Sequence, residues 1–114
     1  MAIIRINGSI KYEISNGMMR NFAGSILYEL CGTTIKRFAG SNKYDIIGNS
    51  IRDSNGYCVL ELGGNFVRHR FYGTVAEIQG NVIRDYQRSI LYEVNGSLTH
   101  DELMMLIAVL FERQ

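Results

Sequence analysis

A period of sixteen constrains this chain more than any other feature. "TIKRFAGSNKYDIIGN", "SIRDSNGYCVLELGGN" and "FVRHRFYGTVAEIQGN" follow one another without interruption, with weaker copies on either side. Counted from the aliphatic residue that precedes a basic one, six units begin at Ile4, Met19, Ile35, Ile51, Val67 and Ile83, the first one residue short. The second position is always basic (Arg5, Arg20, Lys36, Arg52, Arg68, Arg84) and the eleventh always acidic (Glu13, Glu29, Asp45, Glu61, Glu77, Glu93). The tenth is usually aromatic (Tyr12, Tyr28, Tyr44, Leu60, Ala76, Tyr92), and the twelfth is always aliphatic (Ile14, Leu30, Ile46, Leu62, Ile78, Val94). A fixed period of this kind means one supersecondary unit packed against its own copies.

Glycine usually appears twice per unit, early at Gly8, Gly24, Gly40 and Gly56, and at the close at Gly32, Gly48, Gly64, Gly80 and Gly96. Asn55-Gly56, Gly63-Gly64 and Asn95-Gly96 carry the hairpin signature, because a type I′ turn needs positive φ twice. Asn7-Gly8-Ser9 and Asn95-Gly96-Ser97 also fit the glycosylation triplet and are read as turn chemistry. Two strands of six and two turns of two add up to sixteen. Alternation then puts positions one, eight, ten and twelve on an apolar face, and makes the basic and acidic series exposed cross-strand partners on the other. Six hairpins predict twelve antiparallel strands. Closing them into a barrel removes the unpaired edges and covers the apolar face.

After Leu98 the period stops. "THDELMMLIAVLFERQ" predicts a helix over 99–113, with Thr99 and Glu102 as a capping box. The helix is apolar on every side from Leu103 to Phe111 and too short to span a bilayer, so it needs burial all round. A barrel of twelve strands has a radius of roughly 11 Å, enough to hold a helix along its axis. The alternative is a helix capping one end of an open flower or propeller. The expectation is therefore one all-β domain over 1–114, with six hairpin repeats over 3–98 closed around or against one C-terminal helix.

The units "IRDSNG" with "LELGGN" and "IRDYQRSILYEVNG", followed by an apolar C-terminal helix, resemble the bacterial β-flower hairpin-repeat proteins. The twelve-strand-plus-helix layout is also similar to the tubby C-terminal and LURP-one-like barrels. The second likeness implies binding or tethering to membrane lipid. Neither implies a catalytic residue.

Charge narrows the function classes further. A net charge of +1 with 20% charged residues argues against a polybasic nucleic-acid binder, and 46% apolar residues argue against disorder. Cys31 and Cys58 lack metal-like spacing and read as small packing residues of a reduced protein. "MAIIRINGSI" has no apolar signal-peptide core, so the expectation is a cytoplasmic protein, although a secreted one shorn of its leader would look the same. His69 and His100 stand near no Ser, Cys or Asp by any motif, no glycine loop opens a helix after a strand, and the acids are separated by the period. The chain is read as non-enzymatic, without cofactor or metal.

Two surfaces depart from the pattern. Unit five, "VRHRFYG", gathers Arg68, His69, Arg70, Phe71 and Tyr72, with Lys36, Arg37 and Phe38 at the same end of unit three and Arg84 and Arg88 in unit six. Arg37, Arg68, His69, Arg70, Tyr72 and Arg88 thus form a candidate basic-aromatic rim for anionic lipid head groups or other phosphates. The second surface is the outer wall of units four to six. Outward positions nine and sixteen there are Val59, Phe66, Val75, Val82, Leu91 and Leu98, against Lys11, Met18, Leu27, Thr34, Lys43 and Ser50 in the first three units. A one-sided apolar wall marks a contact face. The leading expectation is an interaction or structural module that self-associates there as a homodimer or meets a protein partner, with rim-bound anionic lipid as the second reading and no nucleic acid.

Overall fold

In the computed structural model the twelve strands form a closed antiparallel barrel, each paired with its neighbours in sequence and the last with the first. The structure describes residues 1–38, 40, 42–85, 87 and 89–112, the side chains of 42 and 112 excepted. The strands are β1 (Ala2–Ile6), β2 (Ser9–Ser15), β3 (Met18–Asn21), β4 (Ile26–Cys31), β5 (Thr34–Arg37) and β6 (Asn42–Ile47). They continue with β7 (Ser50–Asp53), β8 (Cys58–Gly63), β9 (Phe66–His69), β10 (Gly73–Gln79), β11 (Val82–Asp85) and β12 (Ile90–Gly96). The helix α1 covers His100–Ile107 and continues as a wider π-turn over Ala108–Glu112.

The charged series meets itself around the ring. Glu13 lies opposite Arg20, Glu29 opposite Lys36, Asp45 opposite Arg52, Glu61 opposite Arg68, and Glu77 opposite Arg84. Arg5 opposite Glu93 completes the circle across the seam. Facing opposite charges favour this register over a slipped one, and on an exposed wall they add little to stability.

Position one faces the core throughout: Ile4, Met19, Ile35, Ile51, Val67 and Ile83 are all fully buried. Tyr12, Tyr28, Tyr44, Leu60 and Ala76 are buried at position ten. The helix fills the space inside. Met104 through Leu110 are buried in succession, hence on every side of a helix, in one cluster with these inward residues. Its start lies against β4 and its end against β8. Leu60 replaces tyrosine on β8 and leaves room for it. The molecule measures 33 × 33 × 22 Å, and the thirteen residues 100–112 span at most about 20 Å, so the helix fits within the depth of the barrel.

Sixteen residues divide differently from two strands of six and two turns of two. Between units the turns do have two residues. In four of them glycine comes first with φ of 63°, 60°, 61° and 59° (Gly32, Gly48, Gly64, Gly80), followed by a residue of negative φ, the order of a type II′ turn. In units two to six the loop within the unit is longer, whereas in unit one Asn7 and Gly8, with φ of 52° and 83°, make a two-residue type I′ turn. In unit four the Gly56 N–H donates to the Asp53 carbonyl, the Asp53 N–H donates to the Tyr57 carbonyl, and Gly56 has a φ of 86°. This is a type I turn closed by a left-handed residue. Asn55-Gly56 is therefore part of a three-residue loop and not a type I′ pair. Asn95-Gly96 is no turn at all: it ends β12 opposite Ile3 and Ala2. A Cβ on Gly96 would run into the Met1 carbonyl, so glycine there serves close approach at the seam.

A β-bulge occurs in every hairpin, in unit one with its two-residue turn as in the units with longer loops. The register slips at Lys11, Leu27, Lys43, Val59, Val75 and Leu91, all at position nine. A bulged residue breaks strict alternation, and every residue upstream of it changes face. Position eight, expected inside, is consequently exposed at Ile10, Cys58, Thr74 and Ile90. Val59, expected on the outer wall, is fully buried beside Leu60. The cysteines also depart from expectation: both are exposed free thiols, because Cys58 precedes the bulge and Cys31 ends β4 beside a turn.

Candidate functional site

Antiparallel closure sorts the loops to two ends. The two-residue turns between units share one end with the helix start. There the Glu102 carboxylate accepts from the Gly17 N–H (2.9 Å) and the Thr99 N–H (3.0 Å), while the Thr99 hydroxyl accepts from the Glu102 N–H (3.1 Å). A His100 ring nitrogen lies 2.9 Å from the Gly48 carbonyl. Burial pushes the Glu102 carboxyl up. The Thr99 and Gly17 donors and the N-terminal ammonium outweigh it and hold the group below its ordinary value of 4.5. The predicted capping box is present and doubles as a latch between helix and barrel.

The loops within units share the opposite end. Those of units two, four and six are tied by the side chain at position three, each accepting two backbone N–H bonds. Asn21 receives Ala23 and Ser25, Asp53 receives Asn55 and Tyr57, and Asp85 receives Gln87 and Ser89. Tightly closed loops leave their large residues pointing at water. Phe22 is 80% exposed, Phe38 51%, Tyr57 65%, Phe71 71% and Tyr72 76%. Four consecutive units therefore put an aromatic ring into solvent at one end of the barrel, with exposed Ile10 and Ile90 just below on the wall.

Within this end the candidate rim residues separate. His69 is buried at the foot of its loop, with its ring 4.8 Å from Tyr72 and 5.7 Å from Phe71. Arg70 lies over the Phe71 ring at 4.5 Å and 3.7 Å from the Asp53 carboxylate. His69 and Arg70, with Arg68, Glu61 and Cys58, line a shallow cleft of about 180 Å³. The Arg68 guanidinium reaches along the outer wall to Gly63, toward the other end. Arg37 closes β5, two hairpins from β9 around the ring, outside the cleft. Arg88 lies outside the described residues. The structure thus brings His69, Arg70 and Tyr72 together, with Arg68 contributing its stem. Phe22 and Tyr57 were missed in the sequence reading. The available signal was that each belongs to a glycine-bearing loop opened by Asn21 or Asp53.

The outer-wall candidates separate as well. Val59 is core. Val75 and Leu98 are half-buried and pack against the core, Val82 and Leu91 are half-buried, and Phe66 is 42% exposed. Bulging draws in the position-nine side chains that parity had placed outside.

Among the described residues, no group of three or more His, Cys, Asp and Glu gathers as for a metal ion, and no helix is long and apolar enough to cross a membrane. No family model matches the chain, nor does any curated protein or solved structure.

Proposed function

We propose that the protein is a non-enzymatic interaction module that docks by its loop end onto the head-group region of an anionic membrane. The observation that carries this reading is the set of solvent-facing rings from four consecutive units, all at one end of a disc 33 Å across. Rings set around the edge of a flat face suit a planar partner better than a peptide or a small ligand. Aromatic rings suit the bilayer interface in particular, where one side is apolar and the other wet. Exposed Arg37 adds cationic character, while Arg70 is offset in part by Asp53, 3.7 Å away. The likeness to tubby-type barrels points the same way.

The test is co-sedimentation with vesicles of neutral phosphatidylcholine alone and with one third anionic lipid. The expected result is binding to the anionic vesicles that weakens as salt rises and falls further when Phe22, Tyr57 and Phe71 are changed together to serine. Absence of binding to either vesicle at low salt would overturn the reading. The second reading is self-association through Phe66, with Val82 and Leu91 beside it, on the remaining outer wall. It predicts a dimer by sedimentation that Phe66→Lys converts to a monomer.

A further inference from the structure

The loop of unit five is tied by a different chemistry from its counterparts. Position three, which is Asn21, Asp53 and Asp85 in units two, four and six, is His69 here. Its Nδ1 accepts from the Phe71 N–H at 3.1 Å, as Asp53 Oδ1 accepts from Asn55 at 2.9 Å. An N–H donor needs a lone pair, so this bond exists only while Nδ1 carries no proton. Asparagine holds its loop at any ordinary pH, and aspartate holds it wherever it is ionised. Imidazole is the one unperturbed side chain whose charge changes between about pH 5 and pH 8.

We infer that His69 is a proton switch for the loop 70–73: the neutral ring holds it closed, and protonation at Nδ1 releases it. A protonated Nδ1 sets donor against donor at the Phe71 amide, and places a charge at a site 9% exposed. The tied loop and the protonated ring therefore exclude one another. Among the described residues, the charged groups that line the cleft with His69 are Arg68 and Arg70 from its own strand and loop and Glu61 from β8. Across the pairing, β10 offers Gly73 and Thr74, which carry no charge. Asp53 acts on Arg70 from the neighbouring loop. Release loosens the rings of Phe71 and Tyr72 above all, since Arg70 keeps its N–H bond to the Val59 carbonyl (3.1 Å) and its contact with Asp53 (3.7 Å). Combined with the docking reading above, on which this consequence alone rests, anionic vesicles should bind more tightly at pH 5.5 than at pH 7.5, through the added charge and the freed rings.

Amide NMR on the free protein tests the switch without any vesicle. Between pH 8 and pH 5 the Phe71 amide should shift in step with the His69 ring signals and lose protection from hydrogen exchange by about tenfold, a hydrogen bond's worth. The Asn55 and Tyr57 amides, tied by Asp53, should keep theirs. His69→Asn supplies a neutral acceptor, as Asn21 does, and should keep Phe71 protected throughout. His69→Asp serves the same purpose should the amide variant fold poorly, and His69→Ala should leave Phe71 unprotected at every pH. A Phe71 amide that stays protected while His69 titrates, a His69 ring that never titrates, or an acceptor variant that follows the wild-type profile would overturn the inference. If the amide titrates and no vesicle binds at any pH, the switch stands and the membrane reading fails. Binding without amide titration gives the reverse.

Discussion

The two ends of the barrel are made from the same repeated unit and are built to opposite purposes. At the helix-entry end the turns are as short as a hairpin allows, and backbone N–H groups are spent on a buried carboxylate from the helix. At the loop end the connections of units two to six are longer, those of units two, four, five and six are tied by the side chain at position three, and units two to five turn rings toward water. Closing energy is thus concentrated at one end and contact surface at the other. Substitutions at the two ends should separate stability from binding.

The largest expected effect comes from removing what the entry end anchors. Truncation after Leu98 would empty the core, and Leu106→Asp would put an unpaired charge in it. Neither chain should show a cooperative thermal melt by circular dichroism. A melt near the wild-type temperature in the truncated chain would show that the barrel stands without its helix.

Next comes the latch. Glu102→Ala leaves the Gly17 and Thr99 N–H groups without their acceptor and should cost about 2–4 kcal/mol in urea unfolding, with Glu102→Gln intermediate because its amide keeps one acceptor oxygen. The pH dependence has a definite sign. Glu102 is held below its ordinary 4.5, so its contribution is present above that value and lost as pH falls through the lower folded one. Wild type should lose stability on the acid side more steeply than Glu102→Gln. At the seam, Gly96→Ala combines a φ of 111° with an overlap on the Met1 carbonyl and should cost about 1–3 kcal/mol.

The loop end should be mild by comparison. Asp53→Ala removes two exposed N–H bonds and should cost about 1 kcal/mol. Changing Phe22 or Tyr57 to serine should move the midpoint by no more than about 0.5 kcal/mol. A large loss of stability there would mean that these rings belong to the fold and not to a contact surface.

Much of the architecture was legible because the period repeats what the core demands. Ile4 through Ile83 at position one, the Arg–Glu series and the Thr99–Glu102 box each carry a local physical signature. The bulge does not. Lys11, Leu27, Lys43 and Val59 share no chemistry, so nothing in the bulging residue itself announces the bulge. Sixteen can be divided as two turns of two or as one of two and one longer, and the total alone does not choose between them. Asn21, Asp53 and Asp85 at position three were the readable clue, because each can bond its own backbone two residues on. Missing it inverted the parity of positions eight and nine and put Val59 on the wrong surface. The candidate rim was legible as composition. That Arg68 lies back along the wall and Arg70 leans on Asp53 depends on contacts between strands that sequence does not print.

The seam has a consequence for how such a chain is made. Neighbouring hairpins pair within a few residues of one another, but β1 waits for β12, as the Arg5 to Asn95 hydrogen bond across 90 positions illustrates. Until β12 leaves the ribosome, the growing sheet has two open edges, and until the helix follows it has an apolar face with nothing to cover it. Vectorial synthesis therefore delivers the two pieces that end this exposure last, and a nascent chain stalled before Leu98 is the most sticky form this protein takes.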